Sequence, residues 1–112
     1  MPLVVDGMNV IGSRPDGWWR DRRGAQRALV QALGALGEPV TVVFDGAPHD
    51  VDAPDEVEVA FAPHADDEIA ARAAPGVIVV TSDRELAERA RAAGAEVQPA
   101  KAFRARLWWA RP

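Results

Sequence analysis

The chain has 112 residues, room for one domain (residues 1–112) with a real core and too few for two. Its 48% apolar content excludes a disordered chain, and the lack of any cysteine excludes disulfides, thiolate zinc sites and thiol nucleophiles. The formal net charge is −4, which the aspartates singled out below account for; the remaining charges balance, so RNA is not excluded but strong non-specific binding is not expected.

In chain order, Leu3-Val4-Val5 is a short β-branched run closed by Asp6 and reads as a buried strand. Gly7, Gly12, Pro15 and Gly17 then predict a loop. Ala25, Leu29, Leu33 and Leu36 recur three or four apart, which predicts a helix from about Trp19 to Leu36, stopped by Gly37 and Pro39. Val40–Phe44 is the second strand, closed by Asp45. His49–Glu56 is a polar, acidic loop, and Val57–Ala62 a weaker strand suited to a sheet edge. A helix follows over Ala65–Ala73, ended by Pro75 and Gly76. Val77–Thr81 is the fourth strand, and Ser82-Asp83-Arg84-Glu85 has the spacing of a capping box, predicting Ser82 as cap of a helix that runs to Ala93. Ala95–Val97 is a short fifth strand and Ala100–Trp109 a last helix. This alternation implies right-handed βαβ units: an α/β domain of three layers, with a mostly parallel sheet and helices on both faces. No apolar run approaches a membrane span and the N-terminus enters a strand at once, so a cytoplasmic protein with no membrane association is expected.

Asp6, Asp45 and Asp83 each follow a strand, and Asp66 opens a helix. In a parallel sheet the strands' carboxyl ends share one edge, where open α/β folds bind ligands. Carboxylates gathered there repel one another unless a cation sits among them, which points to a metal site and to phosphate chemistry. Asp66 is preferred over its neighbours Asp67 and Glu68 because Ile69 and Ala70, three and four residues on, place it on the sheet-facing side. Asn9 follows Asp6-Gly7-Met8 and is suited to orient a carboxylate or a water. Arg14, Arg20 and Arg23 lie in and after the first loop, where bidentate arginines can steer backbone phosphates. Asp21 is an extra acid that a helix start explains equally well. His49 and His64 lack zinc-ligand spacing and read as surface loop residues; Asp50, Asp52 and Asp55 lack the glycine and glutamate of a calcium loop. Trp18-Trp19 and Trp108-Trp109 can stack on bases, although burial of one ring and coverage of a helix end by the other is the commoner use of such pairs.

Taken together, Val5-Asp6-Gly7-Met8-Asn9-Val10-Ile11-Gly12, Val42-Val43-Phe44-Asp45, Ala65-Asp66-Asp67-Glu68-Ile69 and Val80-Thr81-Ser82-Asp83 resemble the NYN-domain ribonucleases of the PIN-like superfamily, in particular the YacP-like group. The pieces stand in the family's order, and the resemblance covers residues 3 to 97. The resemblance implies a five-stranded sheet of order 3-2-1-4-5 and an acidic cluster of Asp6, Asp45, Asp66 and Asp83 that binds Mg2+ or Mn2+, with Asn9 and Ser82 as polar support at the RNA. It also implies endonucleolytic hydrolysis of RNA phosphodiester bonds. YacP-like proteins usually run longer at the C-terminus, which leaves a ribosome or other protein partner, and the oligomeric state, open. Two other readings compete. One is a PIN-like domain that binds RNA or a protein without cutting. The other is a receiver-type phosphoacceptor domain, which would want a second acid where Gly7 follows Asp6 and a lysine just after the fifth strand, where Lys101 lies beyond Pro99-Ala100.

Overall fold

The computed structural model describes residues 2–14 and 17–107. Five strands, β1 (Leu3–Asp6), β2 (Val40–Asp45), β3 (Val57–Ala62), β4 (Ile78–Val80) and β5 (Glu96–Gln98), form one sheet of order β3-β2-β1-β4-β5. Every pairing is parallel, with Asp6 opposite Val43 and Asp45 opposite Ala62. The order is the expected one, and the sheet is wholly parallel.

Side chains alternate between the two faces because successive strand residues point opposite ways. Leu3, Val5, Val42, Phe44 and Val80 pack with α1 (Gly7–Gly12), α2 (Arg22–Gly34) and α5 (Ala100–Arg104), through Val10, Ile11, Leu29, Leu33 and Phe103. Val4, Val43 and Val79 pack on the other face with α3 (Ala65–Arg72) and α4 (Arg84–Ala92), through Ile69, Leu86 and Ala90. Fully burying each such aliphatic side chain stabilises the fold by roughly 1.5–3 kcal/mol.

The segment expected to be a loop after β1 is instead the helix α1. Two glycines in six residues argue against a helix on propensity, but Val10 and Ile11 are buried, and tertiary packing overrides the propensity. Gly7 is there for proximity: a Cβ at this position would stand 2.4 Å from Phe44 Cε1 and 3.0 Å from Val42 Cγ2. The next helix does not begin at Trp19. Trp18–Arg20 form a single 3-10 turn, and α2 starts after Asp21, whose carboxylate accepts from the Gly24 N–H at 3.0 Å. Asp21 is therefore a helix cap. The final helix is also shorter than expected, ending at Arg104; Trp108, Trp109 and Arg111 lie outside the described residues.

β2 and β3 are parallel neighbours joined without a helix. The connecting loop is strapped to α2 instead. The Gln26 carbonyl oxygen and His49 Nε2 are 2.6 Å apart, Gln31 Nε2 donates to the Asp52 carbonyl at 3.1 Å, and Pro54 packs where a Cβ on Gly34 would sit. His49 also packs on Phe61, ring centroids 5.0 Å apart. It is thus a tether for the loop, contrary to its reading as a plain surface histidine. His64, exposed at the start of α3, does fit that reading.

Among the described residues no helix is long and apolar enough to cross a membrane.

Candidate active site

The site grows from the ends of the strands. Asp6 is the last residue of β1, the central strand, and only 5% exposed. A carboxylate held there loses its hydration. Burial, helped by the charges of Asp66 and Asp45, pushes its pKa up to about 6, against the pull of the Thr81 hydroxyl and the nearby Asn9 N–H.

Thr81 joins two of the acids. Its hydroxyl donates to Asp6 Oδ2 at 3.0 Å and accepts from the backbone N–H of Asp83 at 3.1 Å. Asp6 and Asp83 therefore share the same edge. Asp83, not Ser82, caps α4: its Oδ1 accepts from the Leu86 N–H at 2.9 Å. Strand β4 ends at Val80, and the extended residues after it carry the cap position one residue beyond the one that the Ser-x-x-Glu spacing indicates. The Ser82 hydroxyl is used elsewhere, accepting from the Ala100 N–H at 2.9 Å at the start of α5. The Ser82 N–H donates to Asn9 Oδ1 at 2.8 Å. Asn9 thus holds the turn that presents Asp83, and Ser82 stitches α1, α4 and α5 together beside it.

Asp45, exposed at the end of β2, accepts from the Ala65 N–H at 2.9 Å, which pins the start of α3 to the sheet edge. Gly46 follows at φ 111°, a conformation that favours glycine, and lets the chain turn away immediately. Asp66 is exposed; the sheet-facing residues of α3 are Ala65 and Ile69, so Asp66 stands at the rim and not on the buried side expected for it. It nevertheless belongs to the group electrostatically. Its carboxyl is raised first by partial desolvation and then by the charges of Asp83 and Asp45, with Arg89 opposing. Asp67 turns away and pairs with Arg89 at 3.0 Å.

The four aspartates therefore share one edge and influence one another's charge. Among the described residues, however, no three histidine or acidic side chains stand close enough to hold a metal ion between them. The donors are hard oxygens of the kind magnesium and manganese take. They fit an ion held by one or two carboxylates, completed by waters and phosphate oxygens, and do not fit a cage built from protein alone.

Next to Asp83 lies an open depression of about 400 Å³, lined by Ser82, Asp83, Arg84, Glu88, Arg91 and Pro99. No residue spacing signals it, because it forms between α4 and the end of β5. On the other flank, Arg20 and Arg23 are exposed around the start of α2, and Arg14 follows α1. Arg104 donates to the Ser13 carbonyl and fixes the end of α1 against α5.

No family model and no curated protein matches the chain. Solved structures do match, two of them of one protein. The crystal structure of Rae1 (YacP) from Bacillus subtilis aligns with a TM-score of 0.74 at 27% identity, over 92% of this chain and 71% of that one. A mutant of the same protein gives a TM-score of 0.73 at 28% identity, with the same coverage. This chain has the YacP-like NYN fold. The YacP-like fold is of the nuclease type, which agrees with the sheet order, the α1 turn after β1 and the acids along its carboxyl edge.

Proposed function

We infer that the chain is a divalent-metal-dependent endoribonuclease. The observation that carries this reading is Asp6: an acid buried in the central strand, its pKa near 6, set among three further carboxylates with no arginine or lysine bonded to it among the described contacts. A fold keeps such a group at a cost, and a cation relieves it.

In this reading Asp6 and Asp83 would hold the ion, with Asp66 and Asp45 adding negative charge along the same edge and waters and phosphate oxygens completing its ligands. Bound Mg2+ or Mn2+ would supply charge neutralisation at the scissile phosphate and a water acidic enough to attack it at neutral pH. The chain's own contribution is positioning. Thr81 fixes Asp6 and the backbone of Asp83, Asn9 fixes the Ser82 turn, and the Ala65 N–H fixes Asp45. Arg14, Arg20 and Arg23 steer RNA phosphates toward the edge. The spacing of the acids, too wide for three to share one ion, supports a second reading in which the domain binds RNA without cutting.

The test is cleavage of end-labelled single-stranded RNA with Mn2+, Mg2+ or chelator, with Asp6→Asn and Asp83→Asn run alongside. Metal-dependent internal cuts, absent from both variants, are expected. Cutting in chelator, or at wild-type rate in either variant, defeats the metal-dependent reading; RNA binding without cutting selects the silent one.

A further inference from the structure

The 3-10 turn between α1 and α2 carries a feature that the acidic edge does not use. Trp19 is 58% exposed, the large hydrophobic side chain left open among the described residues. Its neighbour Trp18 is half-buried, packs against the core, and touches α1, 3.9 Å from where a Cβ on Gly12 would stand. The two rings meet edge to face, centroids 6.0 Å apart, so Trp18 is a rigid brace for Trp19. Arg20 Cζ lies 5.9 Å from the Trp19 ring centre and Arg22 Cζ 5.7 Å from that of Trp18. From Arg14 to Arg27 the sequence carries five arginines against two aspartates, Asp16 and Asp21, a positive stretch in a chain of net charge −4.

The fold puts this turn at the edge of the acids. α2 ends at Gly34, shortly before β2 begins at the opposite edge. Its thirteen residues run about 20 Å back along the sheet, so its start, and Trp18–Arg20 before it, lie toward the carboxyl ends of the strands. α1 runs about 9 Å from Asp6 to Gly12, and Trp18 packs beside Gly12 at its far end.

We propose that Trp19, braced by Trp18 and flanked by Arg20 and Arg22, is a stacking platform for an unpaired base of single-stranded RNA beside the site of cutting. An exposed indole among guanidinium groups matches a base and its phosphates together, whereas a paired base offers no open ring face. The inference rests on the ribonuclease reading for its substrate, and it has its own readout.

The experiment is fluorescence anisotropy of labelled short single-stranded RNA in chelator, where cutting does not interfere. Wild type, Trp19→Ala and Trp19→Phe are titrated with intact RNA and with RNA carrying abasic positions. Trp19→Ala is expected to weaken binding of intact RNA by about tenfold or more, and Trp19→Phe to recover most of it. Only proteins with an aromatic ring at this position should prefer intact over abasic RNA, a difference that a merely structural role of Trp19 does not produce. Equal affinity of wild type and Trp19→Ala, or an equal loss on abasic RNA, overturns the platform. So does a Trp19→Ala variant that alters sedimentation of the free protein but not RNA affinity, which assigns the surface to a second copy of the chain. Protein that binds through Trp19 yet never cuts keeps the platform and removes the nuclease reading; protein that cuts regardless of Trp19 does the reverse. Wild type that binds no RNA in chelator overturns the platform and leaves the nuclease reading to the cleavage assay with metal.

Discussion

Replacing Asp6 by asparagine is expected to make the metal-free protein more stable while ending its activity. Asp6 has an ordinary pKa of 3.8 in the unfolded chain and one of about 6 in the fold. At about 1.4 kcal/mol per unit, the ionised carboxylate costs the native state about 3 kcal/mol at neutral pH. The sign follows from proton binding. Below pH 3.8 the group is protonated in both states and exacts nothing; between 3.8 and about 6 the folded protein holds the extra proton, so stability falls as pH rises, and above 6 the full penalty stands. Asparagine keeps the shape and an acceptor oxygen for the Thr81 hydroxyl, and it has no charge to desolvate. Urea denaturation in chelator should show wild type and variant alike near pH 3.5 and diverging through pH 4 to 6, the variant ahead by up to about 3 kcal/mol at pH 7. In thermal melts the gap is roughly 10 °C. Manganese should then raise the wild-type melting temperature more than the variant's. A variant no more stable than wild type at pH 7 without metal refutes the claim that this carboxylate is strained by burial.

Other substitutions probe the supports of the site. Thr81→Val removes the donor to Asp6 and leaves the Asp83 N–H without its acceptor; it should cost about 1–3 kcal/mol in urea denaturation and move the acid limb of the pH–rate profile upward. Gly7→Ala drives a methyl into Phe44 and should cost about 1–3 kcal/mol by thermal melting, with RNA cleavage reduced because α1 carries Asn9. Asp83→Asn retains an N-cap and should leave stability nearly unchanged, whereas Asp83→Ala should lose about 1 kcal/mol; cleavage assays should find both inactive. His49→Ala leaves the buried Gln26 short of a partner and should speed amide exchange in residues 47–52, with β1 unaffected.

The strands were legible because buried parallel strands read as near-continuous β-branched runs, and Val40–Phe44 could hardly be anything else. The aspartates at their ends were legible for the same reason: once the strand is located, topology assigns the edge. What local pattern could not show was decided by contacts far along the chain. Gly7–Gly12 looks like a loop until Val10 and Ile11 find the core. Ser82 and Asp83 are both good caps, and only the point where β4 ends decides between them. The His49–Gln26 contact spans 23 residues and has no sequence signal. Counting positions places Asp66 on the buried side, but Ala65 fills that place and leaves Asp66 at the rim.

Three of the acids lend one oxygen each to the architecture: Asp6 to the Thr81 hydroxyl, Asp45 to the first amide of α3, Asp83 to an amide in the first turn of α4. Their carboxyl groups are thereby aimed by donors that belong to the polypeptide, before any ion arrives. Under the metal-dependent reading, an ion would draw on what remains of each group, and so would be gripped lightly and exchanged quickly. It would leave and return without anything around it coming apart.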